Sequence, residues 1–353
     1  LMKNIKKYYQ NKKVLITGHT GFKGTWLAST LCVLGAKVYG LSLNNEKGSH
    51  YNNLNLGKRI NNKKLDIRNF KKLKQHMRLV KPDIVFHLAA QSLVKTSYNK
   101  PLETWTTNVI GTLNLIECIK IINKKCIAVI ITSDKCYLNQ EKNSGYKEND
   151  LLGGIDPYSA SKASAEGAFY SEFNSFLKFN KKIRIATARA GNVVGGGDWS
   201  SDRIIPDFMK SIANKKILNV RSPKAIRPWQ HVLEPITGYL KLAYYLSKNI
   251  KLNGQSFNFG PSTVSRKTVK DILVHLNKKM TLGKWIFTRD HIKNTETKVL
   301  ILNSKLALKK LKWKTKLNFN ETMNMTSEWY YQFIFKKKII TFDQIRKFIK
   351  NYI

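Results

Sequence analysis

Two short segments carry side chains whose types and spacing could transfer protons. The first, TSDKCY at 132–137, follows the apolar run IAVIIT and offers Ser133, Asp134 and Lys135 at the end of a predicted buried strand. The second, Tyr158-Ser-Ala-Ser-Lys162, spaces a phenol and an amine four residues apart. On a helix, that spacing puts both groups on one face, about one turn apart.

The Tyr158–Lys162 pair suits the oxidation of an alcohol. An isolated tyrosine titrates near pH ~10, so it is a poor base at neutral pH. A lysine ammonium close by favours the phenolate, and we therefore expect Lys162 to lower the pKa of Tyr158. A phenolate can accept the proton of an alcohol while hydride leaves the same carbon. Because YxxxK is common by chance, this interpretation requires a nucleotide site beside the pair.

The segment GHTGFKG predicts that site. Gly18, Gly21 and Gly24 come directly after the strand-like KVLIT and open a predicted helix. Glycines there permit a tight turn and let the backbone approach a pyrophosphate, which the helix N-terminus binds through its N–H groups. We predict a dinucleotide, NAD, whose nicotinamide cation also favours the phenolate, with Phe22 and Lys23 among its contacts. A plain glycine turn is the alternative.

The adenosine side of the predicted site is less regular. Strand two ends in LSLNN, with Ser42 where a carboxylate usually binds the ribose hydroxyls, and no carboxylate comes before Glu46. NAD over NADP is therefore not decided by this strand. Asp66, followed by Ile67, is predicted to receive the adenine amino group, to cap the helix that starts near Asn69, or both. The other predicted cofactor contacts are Ala89, Ala90 and His19, and for His19 packing is an equal alternative.

Alternating strand and helix patterns predict the scaffold for these residues. Strand patterns cover 13–17, 36–43, a segment ending at 63–67, the segments DIVFHLAA and KCIAVIITS, and finally IRIATARA. Helical patterns cover 22–35, 69–80, the long segment 101–122 and 157–177. This order predicts an α/β fold with a doubly wound parallel sheet and right-handed crossovers.

The pattern changes after Gly191, where the glycine-rich loop GNVVGGGDWSSDRIIP begins. We predict a Rossmann domain over 1–190, with strand and helix pieces of about 229–260 returning to its sheet. The remaining segments, 191–228 and 261–353, are predicted to form a smaller, discontinuous α/β lobe that binds the substrate.

Composition excludes several classes of protein. With 42% hydrophobic and 11% aromatic residues, the chain of 353 residues has the composition of a globular protein. No apolar stretch approaches the roughly 20 residues of a membrane-spanning helix, and no secretory signal pattern is seen, so a cytoplasmic location is expected. The four cysteines form no CxxC pair and have no zinc-type His partners, which favours reduced thiols and no metal site.

The net charge of +41 could indicate nucleic-acid binding. The lysines, however, are spread along the whole chain together with many Asn and Ile residues, and no nucleic-acid recognition motif accompanies them. A solvated lysine coat is the preferred interpretation. Such a coat would help to attract a doubly negative small substrate.

Asp134 and Lys135 exceed what alcohol oxidation requires. Both follow a predicted parallel strand at its carboxyl end, the sheet edge where ligands bind in this class of fold. A Ser133 hydroxyl there could hydrogen-bond the alcohol oxygen. An additional acid and base beside a redox centre suggest that a group is also eliminated. The alternative is a solvated strand cap.

Together these motifs give the chain its family resemblance. It resembles the extended short-chain dehydrogenases/reductases, and within them the nucleotide-sugar 4,6-dehydratases of the CDP-sugar branch. The segments that carry the resemblance run in order from residue 18 to 261: GHTGFKG, FHLAAQSLV, ITSDKCY, GGIDPYSASK, RAGNVVGGGDW, DRIIPD, AIRPWQHVLEP and NFGP. The related dTDP-sugar enzymes carry Asp-Glu where this chain has Asp134-Lys135.

The resemblance implies a mechanism for each catalytic candidate. Tyr158 takes the proton of the sugar 4-hydroxyl while NAD takes hydride, and Lys162 tunes Tyr158 and holds the nicotinamide ribose. Asp134, when protonated, acts as the acid toward the leaving 6-hydroxyl. Lys135 either removes the C5 proton as a neutral amine or stays cationic, steadies the enolate and orients Asp134. The preferred hypothesis is a shared Asp134–Lys135 acid–base unit.

The resemblance also implies a substrate, CDP-glucose, and a set of contacts to it. Asn192 matches a position near the sugar and diphosphate, and Arg203 and Arg227 are candidate diphosphate partners, with surface charge as the alternative. His231 could bind substrate or cap a helix, and Gln91 completes the predicted set. The resemblance implies a homodimer or higher homo-oligomer whose subunits meet through helices near 99–122 and 157–179.

Two rival functions remain open on sequence. A nucleotide-sugar 4-epimerase needs the Tyr–Lys pair but no elimination acid, so Asp134-Lys135 argues against it. A non-catalytic NAD sensor or nucleic-acid-binding protein would have no need for the set Ser133, Tyr158 and Lys162.

Overall fold

The structure, a computed structural model, describes residues 2–43, 47–122, 124–225, 227–261, 267–288 and 300–352. Eleven strands are present among them: β1 Lys13–Thr17, β2 Lys37–Ser42, β3 Asn61–Lys64, β4 Ile84–His87, β5 Cys126–Ile131, β6 Ile183–Ala190, β7 Val193–Val194, β8 Leu218–Val220, β9 Gln230–His231, β10 Ser256–Phe259 and β11 Trp285–Phe287.

The same residues form fourteen α-helices: α1 Met2–Tyr9, α2 Phe22–Val33, α3 His50–Asn53, α4 Phe70–Val80, α5 Val94–Asn99, α6 Pro101–Trp105, α7 Gly111–Lys120, α8 Pro157–Ser175, α9 Ile204–Ala213, α10 Leu233–Lys248, α11 Val269–Met280, α12 Lys305–Leu311, α13 Phe319–Lys336 and α14 Thr341–Tyr352. A π-helical segment, Thr106–Ile110, joins α6 to α7.

Seven parallel strands form the central sheet in the order β10-β6-β5-β4-β1-β2-β3. The order reverses between β1 and β4, which creates the crevice where this fold binds ligands. In β1, Val14 and Ile16 belong to one hydrophobic core and Leu15 to the other. Because strand side chains alternate between faces, the sheet is covered on both sides. The predicted doubly wound α/β fold is confirmed.

Each face of the sheet is covered by its own helices. One core contains residues of α2 and α10 and extends into α13 and α14, with Trp26, Tyr239 and Trp329 fully buried. The other contains Leu73 of α4, Leu115 of α7 and Phe169 of α8. The segments beyond the sheet form two further parallel pairs, β8 with β11 and β7 with β9. The predicted domain boundaries stay a prediction.

Two predicted elements differ from the structure. The third strand was expected to end at 63–67 but ends at Lys64, and all four of its residues are exposed. The apolar Leu65 and Ile67, which suggested the strand, are buried just after it. The single helix predicted over 101–122 is interrupted by the π-helical turn, which places one extra residue in the helical spiral.

No helix in the described ranges combines the length and apolar character needed to span a bilayer.

Candidate active site

The first half of the site is a short turn that follows β5. Ser133, in extended conformation, caps a 3₁₀ turn over Asp134–Cys136. Its Oγ accepts a 3.2 Å hydrogen bond from the Lys135 amide and donates a 2.9 Å bond to Asp134 Oδ1. Ser133 and Asp134 are both buried. The sheet edge therefore holds a fixed hydroxyl–carboxylate pair.

The second half is the N-terminal part of α8. Asp156 caps this helix, accepting hydrogen bonds from the Ser159 amide at 2.9 Å and the Ser159 hydroxyl at 2.6 Å. Pro157 occupies the first helical position, where its missing N–H has no consequence. Tyr158 and Lys162, four residues apart, are both buried on the face toward the sheet.

The two halves meet where Ser133 and Asp134 act on the Tyr158 hydroxyl. Burial raises the pKa of Tyr158 to about 12, the Ser133 hydrogen bond and the Arg203 charge lower it, and the Asp134 charge raises it. Burial also lowers the pKa of Lys162 to about 8, with Lys23 lowering it further and Glu166 raising it.

Without the cofactor, burial thus raises the pKa of Tyr158, whereas the lowering was expected from Lys162 together with a bound nicotinamide cation and stays a prediction for that state. Removing a phenolate from water costs more free energy than the surrounding positive charge returns. At neutral pH, Tyr158 carries its proton and Lys162 remains largely protonated. The positive charge of a bound nicotinamide would act in the direction that favours proton transfer to Tyr158.

Asp134 and Lys135 do not form an ion pair within the described residues. Successive side chains on a 3₁₀ turn point in directions about 120° apart, which separates them. Lys135 is half-buried, and Asp134 lies instead against Gly191, where an added Cβ would stand 1.7 Å from Oδ2. The charge of Asp134 acts on Tyr158 and Lys23.

The glycine loop forms a cradle that fits NAD. Gly18 has a φ of +74°, and a Cβ there would stand 2.7 Å from the Ala89 nitrogen. At Gly24, a Cβ would stand 2.1 Å from the Gly18 carbonyl. Among the described residues, no side chain caps the N-terminus of α2 at Gly21. Its first N–H groups can therefore bind a pyrophosphate.

Phe22 and Lys23, both half-buried, form the first turn of α2. Burial lowers the pKa of Lys23 to about 8; the Arg203 charge also lowers it and Asp134 raises it. The ammonium of Lys23 therefore lies in the field of groups from both halves of the site.

His19, by contrast, is a packing residue. Its ring is fully buried, lies 5.1 Å from the Tyr51 ring centroid, and would be 2.5 Å from a Cβ at Gly40. Burial lowers its pKa. Of the two interpretations of His19, packing is the one that the structure favours.

On the adenosine side, the Asp66 carboxylate is engaged by Arg68. It accepts hydrogen bonds from the Arg68 side chain at 2.6 to 3.1 Å and from the Arg68 amide at 2.9 Å. These bonds, offset by partial burial, lower its pKa. Asn69, not Asp66, caps α4, so the capping role considered for Asp66 is wrong.

The other adenosine-side candidates lie at the ends of strands. Ile67 is buried, and its side chain packs against Gly111. The Ser42 hydroxyl donates a 3.0 Å hydrogen bond to the Leu43 carbonyl. Ala89 and Ala90 are half-buried after β4. Glu46 lies outside the described residues.

Gln91 is not free to bind a substrate through its side chain. Its Oε1 accepts from the Leu93 amide at 2.6 Å, and its Nε2 donates to Thr104 Oγ1 at 2.9 Å and to the Leu93 carbonyl at 3.0 Å. Its backbone is held by Asn108. Gln91 therefore shapes the loop after β4, and its assignment as a substrate contact stays a prediction.

Asn108 is a residue of the site that the sequence did not reveal. It lies in the π-helical turn, where its side chain accepts from the Gln91 amide and donates to the Gln91 carbonyl and to Ser161 Oγ. Ser161 precedes Lys162 in α8. A one-residue insertion in a helix leaves no periodic signal in the sequence. The signal that could have suggested a role for Asn108 is that it is a polar residue within an otherwise largely apolar helical segment.

A chain of buried hydrogen bonds passes through His87, the last residue of β4. The Thr112 hydroxyl donates its proton to the Asn108 carbonyl, so Thr112 must accept the hydrogen bond from His87 Nε2. His87 Nδ1 then carries no proton and accepts from the Thr17 hydroxyl. The Thr17 oxygen in turn accepts from the Ala89 amide. Burial lowers the pKa of His87 to about 3, and the Lys162 charge lowers it as well. The neutral imidazole thus connects the cradle to the π-helical turn.

On the substrate side, the charge of Arg203 acts on Tyr158 and Lys23. It is half-buried before α9 and pairs with Asp198 at 2.9 Å. Asn192 adopts a left-handed conformation, with φ of +46°, and its carbonyl accepts from the Gln230 amide. Gln230 Nε2 also donates to the carbonyl of Gly191, the glycine that contacts Asp134.

The remaining two substrate candidates differ in their burial. Arg227 is half-buried between α9 and α10. His231 is fully buried, with its ring 5.7 Å from that of Trp26, and burial lowers its pKa to about 3. Its Nδ1 accepts from the Leu233 amide at 3.3 Å, a contact at the start of α10 that agrees with the capping alternative, and its role toward the substrate stays a prediction.

A small cleft opens beside this site, lined by Asp134, Gly191, Pro228, Gly260, Pro261 and Leu302. Within the described ranges, no three His, Cys, Asp or Glu side chains gather as a metal site.

Comparisons with known proteins agree with this geometry. Residues 15–326 match the family model described as GDP-mannose 4,6 dehydratase. The chain is 40% identical over 338 residues to CDP-glucose 4,6-dehydratase of Salmonella typhimurium, covering 93% of each chain.

Two solved structures illustrate the shared fold. An epimerase from Methanothermobacter thermautotrophicus superposes with a TM-score of 0.80 at 22% identity, covering 98% of this chain and 97% of that one. A dTDP-glucose 4,6-dehydratase from Streptomyces venezuelae, solved with NAD and TYD bound, gives 0.77 at 19% identity, covering 91% and 97%.

Proposed function

Because this chain belongs to the nucleotide-sugar 4,6-dehydratases of the extended short-chain dehydrogenase/reductase family and depends on NAD, we propose that it converts CDP-D-glucose to CDP-4-dehydro-6-deoxy-D-glucose. The observation that carries the proposal is the contact between an elimination acid and a redox pair. Ser133 donates a hydrogen bond to Asp134 at the ligand-binding edge of the sheet, and both residues affect the pKa of Tyr158.

The oxidation and the reduction share one set of side chains. When bound, NAD accepts hydride from C4 of the hexose and later returns it to C6. Once the nicotinamide cation and the Lys162 ammonium favour its phenolate form, Tyr158 can receive the proton of the 4-hydroxyl, which Ser133 orients by a hydrogen bond. The Lys162 ammonium, one turn away, holds the nicotinamide ribose and stabilises negative charge as it develops on Tyr158.

Elimination uses the neighbouring carboxyl group. A 4-ketone acidifies the hydrogen on C5, so water can be lost across C5 and C6. Asp134, in its protonated form, gives a proton to the leaving 6-hydroxyl. Lys135 either removes the C5 proton as a neutral amine or, as a cation, stabilises the enolate while the Asp134 carboxylate takes that proton and passes it to the leaving 6-hydroxyl; in both cases the acid–base pair returns a proton to C5 when hydride reaches C6.

The proposal for a CDP sugar depends on sequence likeness more than on geometry. The 40% identity to the Salmonella CDP-glucose enzyme and the Asp134-Lys135 pair support it. Arg203 and Arg227 are proposed to bind the diphosphate, and the backbone around Asn192 to approach the sugar. Guanidinium groups suit phosphate oxygens because their paired N–H donors match the oxygen spacing.

Deuterium transfer tests the reaction directly. Incubation of the protein with NAD and CDP-glucose deuterated at C4 should give a product that absorbs in alkali and carries deuterium at C6. Parallel incubations with dTDP-, UDP- and GDP-glucose test the nucleotide. Y158F should abolish both the alkali-absorbing product and the deuterium transfer to C6, whereas D134N should slow product formation by about 10²-fold or more. Product without deuterium at C6 would contradict the proposal.

The same experiment separates the rivals. A 4-epimerase would invert C4 and give no alkali-absorbing product. A non-catalytic NAD sensor or a nucleic-acid-binding protein would give no turnover. The contact between Asp134 and the Ser133–Tyr158 pair favours the dehydratase over both.

We further propose a homodimer in the cytoplasm. Large apolar side chains are exposed on the helices beside the site, among them Leu102, Trp105 and Ile110 before α7 and Tyr170 and Phe176 on and after α8. Burial of such surface between two copies would stabilise a dimer. The unpaired cysteines support a reducing compartment.

A further inference from the structure

A buried carboxylate lies on the same helix face as the catalytic candidates. Glu166 follows Tyr158 and Lys162 at intervals of four residues on α8, and all three are buried. Its Oε1 accepts hydrogen bonds from Thr132 and from Arg189 Nε. Its Oε2 accepts from Arg189 at 2.8 Å, Thr187 at 2.9 Å and Ser256 at 3.2 Å. Glu166 thus connects α8 with β5, β6 and β10.

Arg189, the partner of Glu166, is equally buried and fully engaged. Its Nη1 donates to the Tyr137 hydroxyl at 2.6 Å and to the Glu148 carbonyl at 2.8 Å. The Tyr137 hydroxyl donates to Asn258 of β10 at 2.8 Å. Since Tyr137 directly follows the turn that contains Asp134, Arg189 holds the far end of that turn.

The ion pair therefore holds both halves of the site. The catalytic turn, Ser133–Cys136, lies between Thr132, which bonds Glu166, and Tyr137, which bonds Arg189. The Glu166–Arg189 pair therefore fixes this turn at both ends. The same unit fixes the helix face that carries Tyr158 and Lys162. A shift of Glu166 would change the distance between the Ser133 hydroxyl and Tyr158.

We propose that Glu166 and Arg189 are positioning residues that set the geometry of Ser133, Asp134, Tyr158 and Lys162 for catalysis. The proposal builds on the function proposed above. It goes beyond a contribution to stability, which any satisfied buried ion pair could make. The two roles differ in what they predict for a variant that still folds.

The main test is E166Q, which keeps an oxygen acceptor but removes the charge. Circular dichroism and thermal unfolding first establish that the variant folds. Its kcat should fall about 10²-fold, because small displacements of reacting groups have effects of that size, while KM changes little. A folded E166Q with the kcat of wild type would overturn the proposal.

The pH profile gives a second reading. Charged or titratable groups from three directions act on Lys162: Lys23 on α2, Cys136 on the turn and Glu166 on α8, and His87 lies close enough to feel its charge. Because Glu166 raises the pKa of Lys162, its neutralisation should move the basic limb of kcat/KM to lower pH. If the basic limb of the E166Q profile stays at the pH of the wild-type limb, the positioning role of Glu166 is contradicted.

A matched pair of variants decides the matter should E166Q fail to fold. T132V and T187V each remove one buried hydroxyl donor to Glu166, the first just after β5 and the second within β6. Thr132 leads into the catalytic turn, whereas Thr187 does not. Positioning predicts a fall in kcat for T132V of at least about tenfold relative to T187V. Equal kcat values would reduce the pair to a structural role.

The wild-type protein is assayed first on the four nucleotide sugars. If it converts none of them, the proposed function itself is overturned. If it converts one and the variants equal it on that sugar, only the positioning role is overturned.

Discussion

Asn108 Nδ2 donates a 2.9 Å hydrogen bond to Ser161 Oγ, which donates in turn to the Tyr158 carbonyl at 2.7 Å. The π-helical turn before α7 is thereby connected to the first turns of α8. The same Asn108 side chain holds the Gln91 backbone from both sides. One carboxamide therefore links the loop after β4 with the helix that carries Tyr158 and Lys162.

We predict that N108L lowers both stability and turnover. The leucine leaves the Gln91 amide and carbonyl without their partner, a loss of about 1–3 kcal/mol for each buried group left unpaired. Without the Ser161 bond, α8 is less firmly placed, so kcat should also fall. Thermal unfolding and the kcat of the deuterium-transfer assay measure the two effects.

A capping variant serves as the control for N108L. Asn318 caps α13 in a capping box and has no contact with the site. N318A should lower stability by about 1 kcal/mol and leave kcat unchanged. Should N108L reduce kcat no more than N318A does, the link through Ser161 has no catalytic role.

The fold could be predicted from the sequence because its signals are local. The strand predicted at 13–17 has the observed bounds of β1, and the glycine loop precedes α2 as expected. Tyr158 and Lys162 share a helix face because spacing alone fixes that relationship. The exposed strand β3 was misplaced, since an edge strand of Asn and Lys residues has no apolar pattern.

The electrostatics of the site could not be predicted in the same way. Spacing showed that Lys162 neighbours Tyr158, but the sign of the pKa shift at Tyr158 depends on how deeply both are buried. His231 and Gln91 were assigned to the substrate by motif, while long-range packing decides where their side chains lie. Glu166 belonged to no quoted motif and Arg189 was only the first residue of RAGNVVGGGDW, because their pairing exists only in three dimensions.

We predict that K23M shifts the basic limb of the kcat/KM profile to higher pH. The positive charge of Lys23 is one of the causes that hold the pKa of Lys162 at about 8. A neighbouring cation disfavours the ammonium form, so its removal raises the pKa of Lys162. The ammonium then persists to higher pH. Initial rates at low substrate concentration from pH 6 to 10 give the profile.

The control for K23M removes an equal charge elsewhere. Lys63 is exposed on the edge strand β3, and K63M should leave the limb in place. If K63M and K23M shift the limb equally, net charge and not the local field of Lys23 is responsible. If neither shifts it, Lys162 does not control the limb.

We predict that E234Q stabilises the protein more at pH 8 than at pH 5. Glu234 is buried in α10, where its Oε1 accepts from the amides of Lys316 and Leu317 at 2.8 Å. Burial raises its pKa from 4.5 to about 7, and those hydrogen bonds partly offset the effect. The glutamine keeps the acceptor and removes the ionisable group.

The sign of the Glu234 effect follows from proton binding. Between pH 4.5 and about 7 the folded state binds more protons at this site than the unfolded state does. The stability from this site is thus complete below pH 4.5 and is lost as the pH rises through about 7, a change of roughly 3 kcal/mol.

The difference in unfolding temperature between E234Q and wild type measures this effect across pH 5 to 8. As a control, E328Q should show no trend across this range, because the hydrogen bond to Lys279 lowers the pKa of the half-buried Glu328 from 4.5, so Glu328 titrates below pH 5 in the folded and the unfolded state alike. A difference for E234Q that does not grow with pH would show that Glu234 does not titrate in this range.

We predict that G191A disables elimination more than it disables binding of the cofactor. An alanine Cβ at this position would stand 1.7 Å from Asp134 Oδ2, so the carboxylate must move away from the Ser133 hydroxyl. The cradle formed by Gly18 and Gly24 lies on other elements and keeps its shape. NAD affinity should therefore stay within about threefold of wild type, while formation of the alkali-absorbing product falls by about 10²-fold.

The matched control is G167A, in the middle of α8, where nothing lies within 4 Å of the new methyl group. That change should stabilise the helix by about 0.5–1 kcal/mol and leave turnover intact. Equal turnover in G191A and G167A would mean that the position of the Asp134 carboxylate is immaterial to the reaction, which is incompatible with its role as the acid.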